Sequence, residues 1–216
     1  MLEKMDDFFE NRIDSYEDHM MSESHIRNGY IKLTELMPEN SKNLLDLGCG
    51  TGLELIDIFK KFPEINVTGI DLSQKMLDKL KKKFSNKKIN LIKENYLEYD
   101  FGMNIYDIVI SYETLHHLQH KEKIKLYKKV FNALTQYGQY IECDYMVFSQ
   151  EEEDLHFSEN KKLRIDQGIK DGEFYHYDTP CTIENQIIMM KKAEFIEVKE
   201  EWREKNTVII KAKKNV

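Results

Sequence analysis

One stretch constrains the fold more than any other: Leu44-Leu45-Asp46-Leu47-Gly48-Cys49-Gly50-Thr51-Gly52, an apolar run that passes straight into alternating glycines. The apolar half reads as a buried strand, and the glycines as a tight turn whose backbone can meet a ligand without an intervening Cβ. A helical pattern comes next, and a turn of this kind after a first strand lies where open α/β sheets bind nucleotide-like ligands. Twenty-one residues beyond Gly50, Asp71 ends a second apolar run, Val67-Thr68-Gly69-Ile70, placed to accept from both hydroxyls of a ribose.

Short β-rich runs alternate with amphipathic stretches from Asn43 onward, the pattern of a mostly parallel sheet covered by helices on both faces. The expected strands are 43–47, 66–70, 89–93, 105–111, 139–145, 196–203 and 206–212, and the expected helices 52–62, 73–84, 121–134 and 182–193. Ser73 and Thr182 read as N-caps. Only Glu204 and Lys205 separate the last two strands, too few for a crossover, so they form an antiparallel hairpin. The fold class is therefore α/β: a Rossmann-like three-layer sandwich with a seven-stranded, mostly parallel sheet and an antiparallel last strand. One domain, 1–216, is expected. Residues 1–41 read as one or two helices and 146–181 as an irregular insertion whose acidic run, Glu151 to Asp154, is a solvated helix face.

A 41% hydrophobic, 33% charged composition suits a folded chain, and a formal net charge of −7 opposes broad attraction to phosphate backbones, so nucleic acid is an unfavoured partner. Three dispersed cysteines suggest neither a disulfide framework nor a zinc site, and no apolar run is long enough to span a bilayer. A cytoplasmic protein without membrane insertion is expected. The oligomeric state is not legible.

A dinucleotide loop reads G-x-G-x-x-G, but here Leu53 stands at the third glycine, which counts against a nicotinamide-dependent oxidoreductase. The D-x-G-x-G-x-G spacing beginning at Asp46, with Asp71-Leu72-Ser73 at the second strand's end, resembles the first two motifs of class I S-adenosylmethionine-dependent methyltransferases, closest to the small-molecule and quinone types. The resemblance runs from Asn43 to Lys213. It implies that S-adenosylmethionine is the cofactor, with Asp46 ordering its methionine end and Gly48, Cys49 and Gly50 packing on its methionyl and ribose portions. It also implies that Asp71 holds the ribose, while Leu72 and Met76 border the adenine. Where the family has an Asp that meets the adenine amino group, this chain has Glu94-Asn95-Tyr96, leaving Asn95 to accept through its carbonyl. Ser111, Tyr112 and Glu113, at the end of the fourth strand, are expected beside the sulfonium. A methyltransferase-like module that only binds the cofactor shares all these residues.

The activated methyl group needs alignment and dryness more than acid–base help, but an acceptor of high pKa gains from a base, and His116, His117 and His176 are the candidates. No metal is expected at His116-His117, because adjacent residues of a helix diverge and no third ligand is spaced to join them. Tyr16 and His19 put polar tips on an otherwise apolar N-terminal stretch that also carries Phe8 and Phe9, an expected lid. Tyr145 and the segment around His176 are expected to wall a pocket for a small-molecule acceptor. Trp202 is expected in the core, and Cys49 to pack rather than react.

Overall fold

The computed structural model describes residues 1–214, so the last two positions of the expected domain lie outside the described residues. Three helices come first: α1 (Met5–Asn11), α2 (Ile13–Ser22) and α3 (Ser24–Leu36). Strands and helices then alternate: β1 (Asn43–Leu47), α4 (Leu55–Lys61), β2 (Asn66–Asp71), α5 (Gln74–Lys83), β3 (Ile89–Lys93) and β4 (Tyr106–Tyr112). After β4 the chain makes a 3₁₀ turn (Leu115–His117), α6 (His120–Ala133), β5 (Leu134–Tyr145), α7 (Gln150–Asp166), α8 (Ile183–Lys192), β6 (Glu197–Glu204) and β7 (Thr207–Lys213).

The seven strands lie in the order β3-β2-β1-β4-β5-β7-β6, parallel except for β7, which runs antiparallel to both its neighbours. Central strands rich in Leu, Ile and Val are buried on both faces, as helix-covered parallel strands must be. β6, Glu197-Val198-Lys199-Glu200-Glu201-Trp202-Arg203-Glu204, guards its open edge with charge. One apolar layer joins the sheet to α6 and α8 through Leu126, Val130, Met189 and Met190. The other joins it to α3, α4 and α5 through Leu33, Ile58, Leu77 and Leu80, with Trp202 half-buried against it. Strand order reverses between β1 and β4, which opens a crevice at their carboxyl ends.

Ser73 and Thr182 cap their helices as expected, accepting from the amides of Met76 and Asn185 at 3.3 Å each. Elsewhere the structure departs from expectation in three places. The N-terminal segment is three helices, not one or two, because breaks at Arg12 and Glu23 interrupt the apolar pattern. The stretch 146–181 is not irregular throughout, since Ser149 caps the 17-residue helix α7 and the long loop is confined to the residues between α7 and α8. The acidic run is not wholly solvated, for Glu153 is buried and accepts from His120, the Thr182 amide and Asn185 at 2.6–3.0 Å. It fastens α7 to α6 and to the start of α8.

Candidate active site

After β1 the backbone enters the left-handed region at Gly48 (φ +70°) and Gly50 (φ +47°), which a side chain would strain. The amides of Gly48 and Cys49 donate to Ile70 O at 2.8 and 3.1 Å, fastening the turn to the end of β2. Cys49 is buried, and its sulfur would lie 2.8 Å from a Cβ at position 69, so Gly69 is what lets the loop seat. Asp71 completes the turn: Oδ2 accepts from Gly50 N at 2.9 Å and Oδ1 from Ser73 N at 2.8 Å. Each oxygen keeps a further lone pair for a ligand hydroxyl.

Beneath the turn, Asp46 is 1% exposed, and neither carboxyl oxygen has a hydrogen-bond partner; Glu54 Oε1 and Thr51 Oγ1 are equally unpartnered. Burial, and then the neighbouring Glu54, hold the Asp46 carboxyl well above its ordinary range, while burial pushes Glu54 up to about 7. Buried carboxyls without donors are costly, and a cationic or hydrogen-bond-donating ligand is what relieves them. Asp46, Glu54 and Asp71 thus form an acidic cradle around a glycine turn, which fits the ammonium and ribose of an amino-acid nucleoside.

The crevice beyond this cradle is a cavity of about 40 Å³, lined by Gly48, Asp71, Leu72, Tyr96, Thr114 and His117 and roofed by Met5, Phe9 and Phe174. The roof is sewn by backbone: Met5 N donates to Phe174 O at 3.1 Å and His176 N to Glu3 O at 2.9 Å. Tyr16 reaches over the loop, its hydroxyl 3.6 Å from where a side chain on Gly50 would begin. Burial, then the charge of Glu54, pushes its phenol far above the ordinary value.

Other expected residues are placed differently. His19 is exposed, because Ile13, Tyr16 and Met20 make the inward stripe of α2 and His19 falls outside it. Tyr112 is not at the crevice: its ring stacks on Tyr30 at 4.1 Å and its hydroxyl donates to Ile26 O, on the α3 side of the sheet. The Ser111 hydroxyl is spent on Tyr140 at 2.7 Å, within a buried network that continues to Glu142. Met76 is buried on the first turn of α5 and is not part of the cavity wall. Asn95 uses its carbonyl to accept from Leu97 N at 2.9 Å, so the side-chain oxygen already closes a turn. Glu113, at φ +47°, turns away to Thr207 Oγ1 (3.3 Å) and to His116 Nδ1 (3.8 Å), and burial pushes it up to about 8.

The three histidines do converge. His116 and His117 share the 3₁₀ turn with ring centroids 4.1 Å apart, and the His176 ring lies 4.8 Å from that of His117. His116 Nδ1 faces Asp144 Oδ1 at 2.5 Å, and Asp144 is fixed by the amides of Leu115 and Tyr145 at 2.9 Å each. Although burial opposes its charge, the carboxylates of Asp144, Asp178 and Glu113 raise His116 to about 9. Burial lowers His117, and burial with the neighbouring imidazoles brings His176 down to about 4. His176 also stacks on Phe8 at 3.4 Å. Tyr145 stands beside His116 at 5.9 Å between ring centroids.

Asp178 faces all three rings, a third donor group beside the His116-His117 pair that spacing along the sequence did not show. Some sixty residues of intervening chain hid it: the segment before α8 is held at the 3₁₀ turn by Thr179 N donating to His116 O at 2.6 Å. Outward from His176 and Asp178 lies a second cavity, about 350 Å³, lined also by Met1, Leu2, Glu3, Phe8, His156 and Tyr177. Glu54, Thr114, Asp144 and Met5 stand at the candidate site and were missed by sequence reading, whereas Phe174 lies in the segment expected to wall it. An acid two residues past Gly52 was the one available signal; the others are joined to the site only by tertiary contacts.

Residues 44–138 match the model of a methyltransferase domain. A carboxy-S-adenosyl-L-methionine synthase of Helicobacter hepaticus is 31% identical, covering 80% of this chain and 79% of that protein. A phosphoethanolamine N-methyltransferase of Plasmodium falciparum is 27% identical over 79% of this chain and 66% of its own length. Among solved structures, human N-acetylserotonin methyltransferase in complex with S-adenosylmethionine superposes with a TM-score of 0.66 at 15% identity. The match covers 88% of this chain and 52% of that one, so the chain spans about half of that protein's length. Glycine turn, sheet order and relatives agree: the chain belongs to the class I S-adenosylmethionine-dependent methyltransferase family.

Proposed function

We propose that this protein transfers the methyl group of S-adenosylmethionine to a small-molecule acceptor by in-line displacement. The observation that carries the reading is the buried Asp46 carboxyl, neither oxygen of which has a hydrogen-bond partner, with the unpartnered Glu54 Oε1 beside it under the glycine turn. Asp46 and Glu54 take the cofactor's ammonium, Asp71 its ribose hydroxyls, and Gly48, Cys49 and Gly50 its backbone-facing edge. Leu72 and Tyr96 wall the crevice. The bound cofactor supplies a methyl carbon already activated by a sulfonium.

Residues 1–41 act as a lid, with Met5, Phe9 and Tyr16 excluding water, and the 146–181 segment closes the acceptor side through Phe174 and His176. His116, His117, His176, Tyr145 and Asp178 line that side. The separate outer cavity of about 350 Å³, which His176 and Asp178 line, suits a small acceptor rather than a polymer, in keeping with the named small-molecule substrate of the phosphoethanolamine-methylating relative. A net charge of −7 argues against nucleic acid as the acceptor. The three free cysteines suit a reducing, cytoplasmic setting, and no helix among the described residues is long and apolar enough to cross a membrane.

Calorimetric titration with S-adenosylmethionine, S-adenosylhomocysteine and NAD tests the cofactor reading. Micromolar binding of both sulfur nucleosides with no response to NAD supports it; a response to NAD alone overturns it. Acceptor screening by release of S-adenosylhomocysteine then separates an enzyme from a binding module.

A further inference from the structure

Asp178 Oδ1 is buried and has no aligned hydrogen bond, yet three imidazole nitrogens surround it: His117 Nδ1 at 3.3 Å, His116 Nε2 at 3.6 Å and His176 Nε2 at 3.8 Å. Those distances are long for hydrogen bonds but suit another role. A tetrahedral ion with bonds of about 2.0–2.1 Å holds its ligand atoms about 3.3–3.4 Å apart. The nitrogen and oxygen atoms offered by His116, His117 and Asp178 all lie within 4.8 Å of one another.

An independent feature points the same way. His116 turns Nδ1 to Asp144 at 2.5 Å, which leaves Nε2 directed at the cluster, and Asp144 is itself held by two backbone amides. A carboxylate that orients a histidine from behind is the usual support of a metal-ligating imidazole. The second acid–histidine group, His120 with Glu153 and Cys181, lacks this character, because both Glu153 oxygens are already taken by His120, Thr182 N and Asn185.

We infer that His116, His117 and Asp178, with His176 beside Asp178 at the rim, form a binding site for a divalent transition-metal ion of the zinc class, at the acceptor side of the crevice. Two imidazoles and one carboxylate, with a fourth position left open, are a donor set for zinc or its neighbours rather than for magnesium or calcium, which take oxygen ligands. His176 and Asp178 also line the cavity of about 350 Å³, so a ligand entering there reaches the ion's exposed side. An acceptor carrying a hydroxyl or amine can coordinate on that side, which lowers the pKa of the group to be methylated. Metal binding itself rests on no step of methyl transfer, so its failure and that of the methyltransferase reading are separable.

The test is calorimetric titration of the chelator-treated full chain with zinc sulfate alone, with cobalt(II) as a spectroscopic substitute. The expected result is saturable binding of a single equivalent and the visible absorption of four-coordinate cobalt. Asp178→Asn and Asp144→Asn should each weaken binding about tenfold or more, whereas His120→Ala leaves it unchanged. His117→Ala serves if either carboxylate variant fails to fold. Absence of single-equivalent binding, affinity that survives Asp178→Asn or His117→Ala in folded protein, or loss of binding in Cys181→Ser overturns the assignment.

Discussion

The amide of Met5 donates to the carbonyl of Phe174 at 3.1 Å, joining the first helix to the segment before α8 as one roof over the crevice. Under it the cavity measures about 40 Å³, room for little more than a water molecule. An adenine nucleoside enters only if Met5, Phe9 and Phe174 move outward together. Amide hydrogen exchange should therefore change over residues 3–20 and 174–177 when S-adenosylmethionine is added. Phe9→Ala should speed cofactor association in stopped-flow measurements. Exchange that is unaltered over both segments would sink the roof as a moving part.

Asp71 serves two sets of donors, the loop amides of Gly50 and Ser73 and, in the proposed complex, a ribose. Replacing it with alanine should weaken cofactor binding by about 1.5–3 kcal/mol, the range for hydrogen bonds to a charged group. Asp71→Asn keeps an acceptor oxygen and should lose less. Calorimetry that finds both variants equal to the parent protein counts against the ribose contact.

Local pattern made the sheet, the glycine turn and the acid that closes it readable, because strand period, glycine spacing and the position of Asp71 are set by neighbours in sequence. The strand boundaries moved little: β4 shifted by a single residue, to Tyr106–Tyr112, whereas β5 began earlier, at Leu134, through the irregular pairing near Tyr106. The acceptor side was only half legible. His116, His117 and His176 could be named as candidates, but Asp178 and Asp144 join them through the docking of the 174–182 segment and the end of β5, which no periodicity reports. Tyr112 and Ser111 show the opposite limit. Being next to a site along a strand does not settle where a side chain goes when α3 and Tyr140 compete for it.

The Glu153–His120 pair should give stability a bell-shaped pH dependence. Its two atoms meet at 2.8 Å. Although burial opposes its charge, hydrogen bonds from His120, Thr182 N and Asn185 hold Glu153 at about 2, below its ordinary 4.5, so that contribution is complete above about 4.5 and is lost as pH falls through 2. His120 is raised from 6.5 to about 9 by hydrogen bonds with Cys181 and Glu153, so its contribution is complete below 6.5 and fades as pH rises through 9. Melting temperature should peak between these limits. Glu153→Gln should flatten both flanks and, by leaving the His120 charge less well paired, lower the plateau. A parallel profile for parent and variant would show that the pair contributes nothing measurable.

The strongest trade between stability and function is expected at Glu54. Burial raises its pKa from 4.5 to about 7, and burial also holds Asp46 beside it well above its ordinary value, so ionising this pair costs more in the folded chain than in the unfolded one. A carboxyl raised on folding favours the folded state at acid pH, and that advantage is lost as pH rises from about 4.5 through 7. The cofactor-free protein should accordingly lose stability across that window, and saturating S-adenosylmethionine should restore it by supplying a cation to the pair. Glu54→Gln removes one of the two charges while keeping the shape. It should melt higher than the parent protein at pH 8 without ligand, and bind the cofactor more weakly. Thermal melts of both proteins with and without cofactor check this. A variant that melts lower at pH 8 would mean that Glu54 is held by partners rather than strained against Asp46, and the acidic cradle would lose its physical basis.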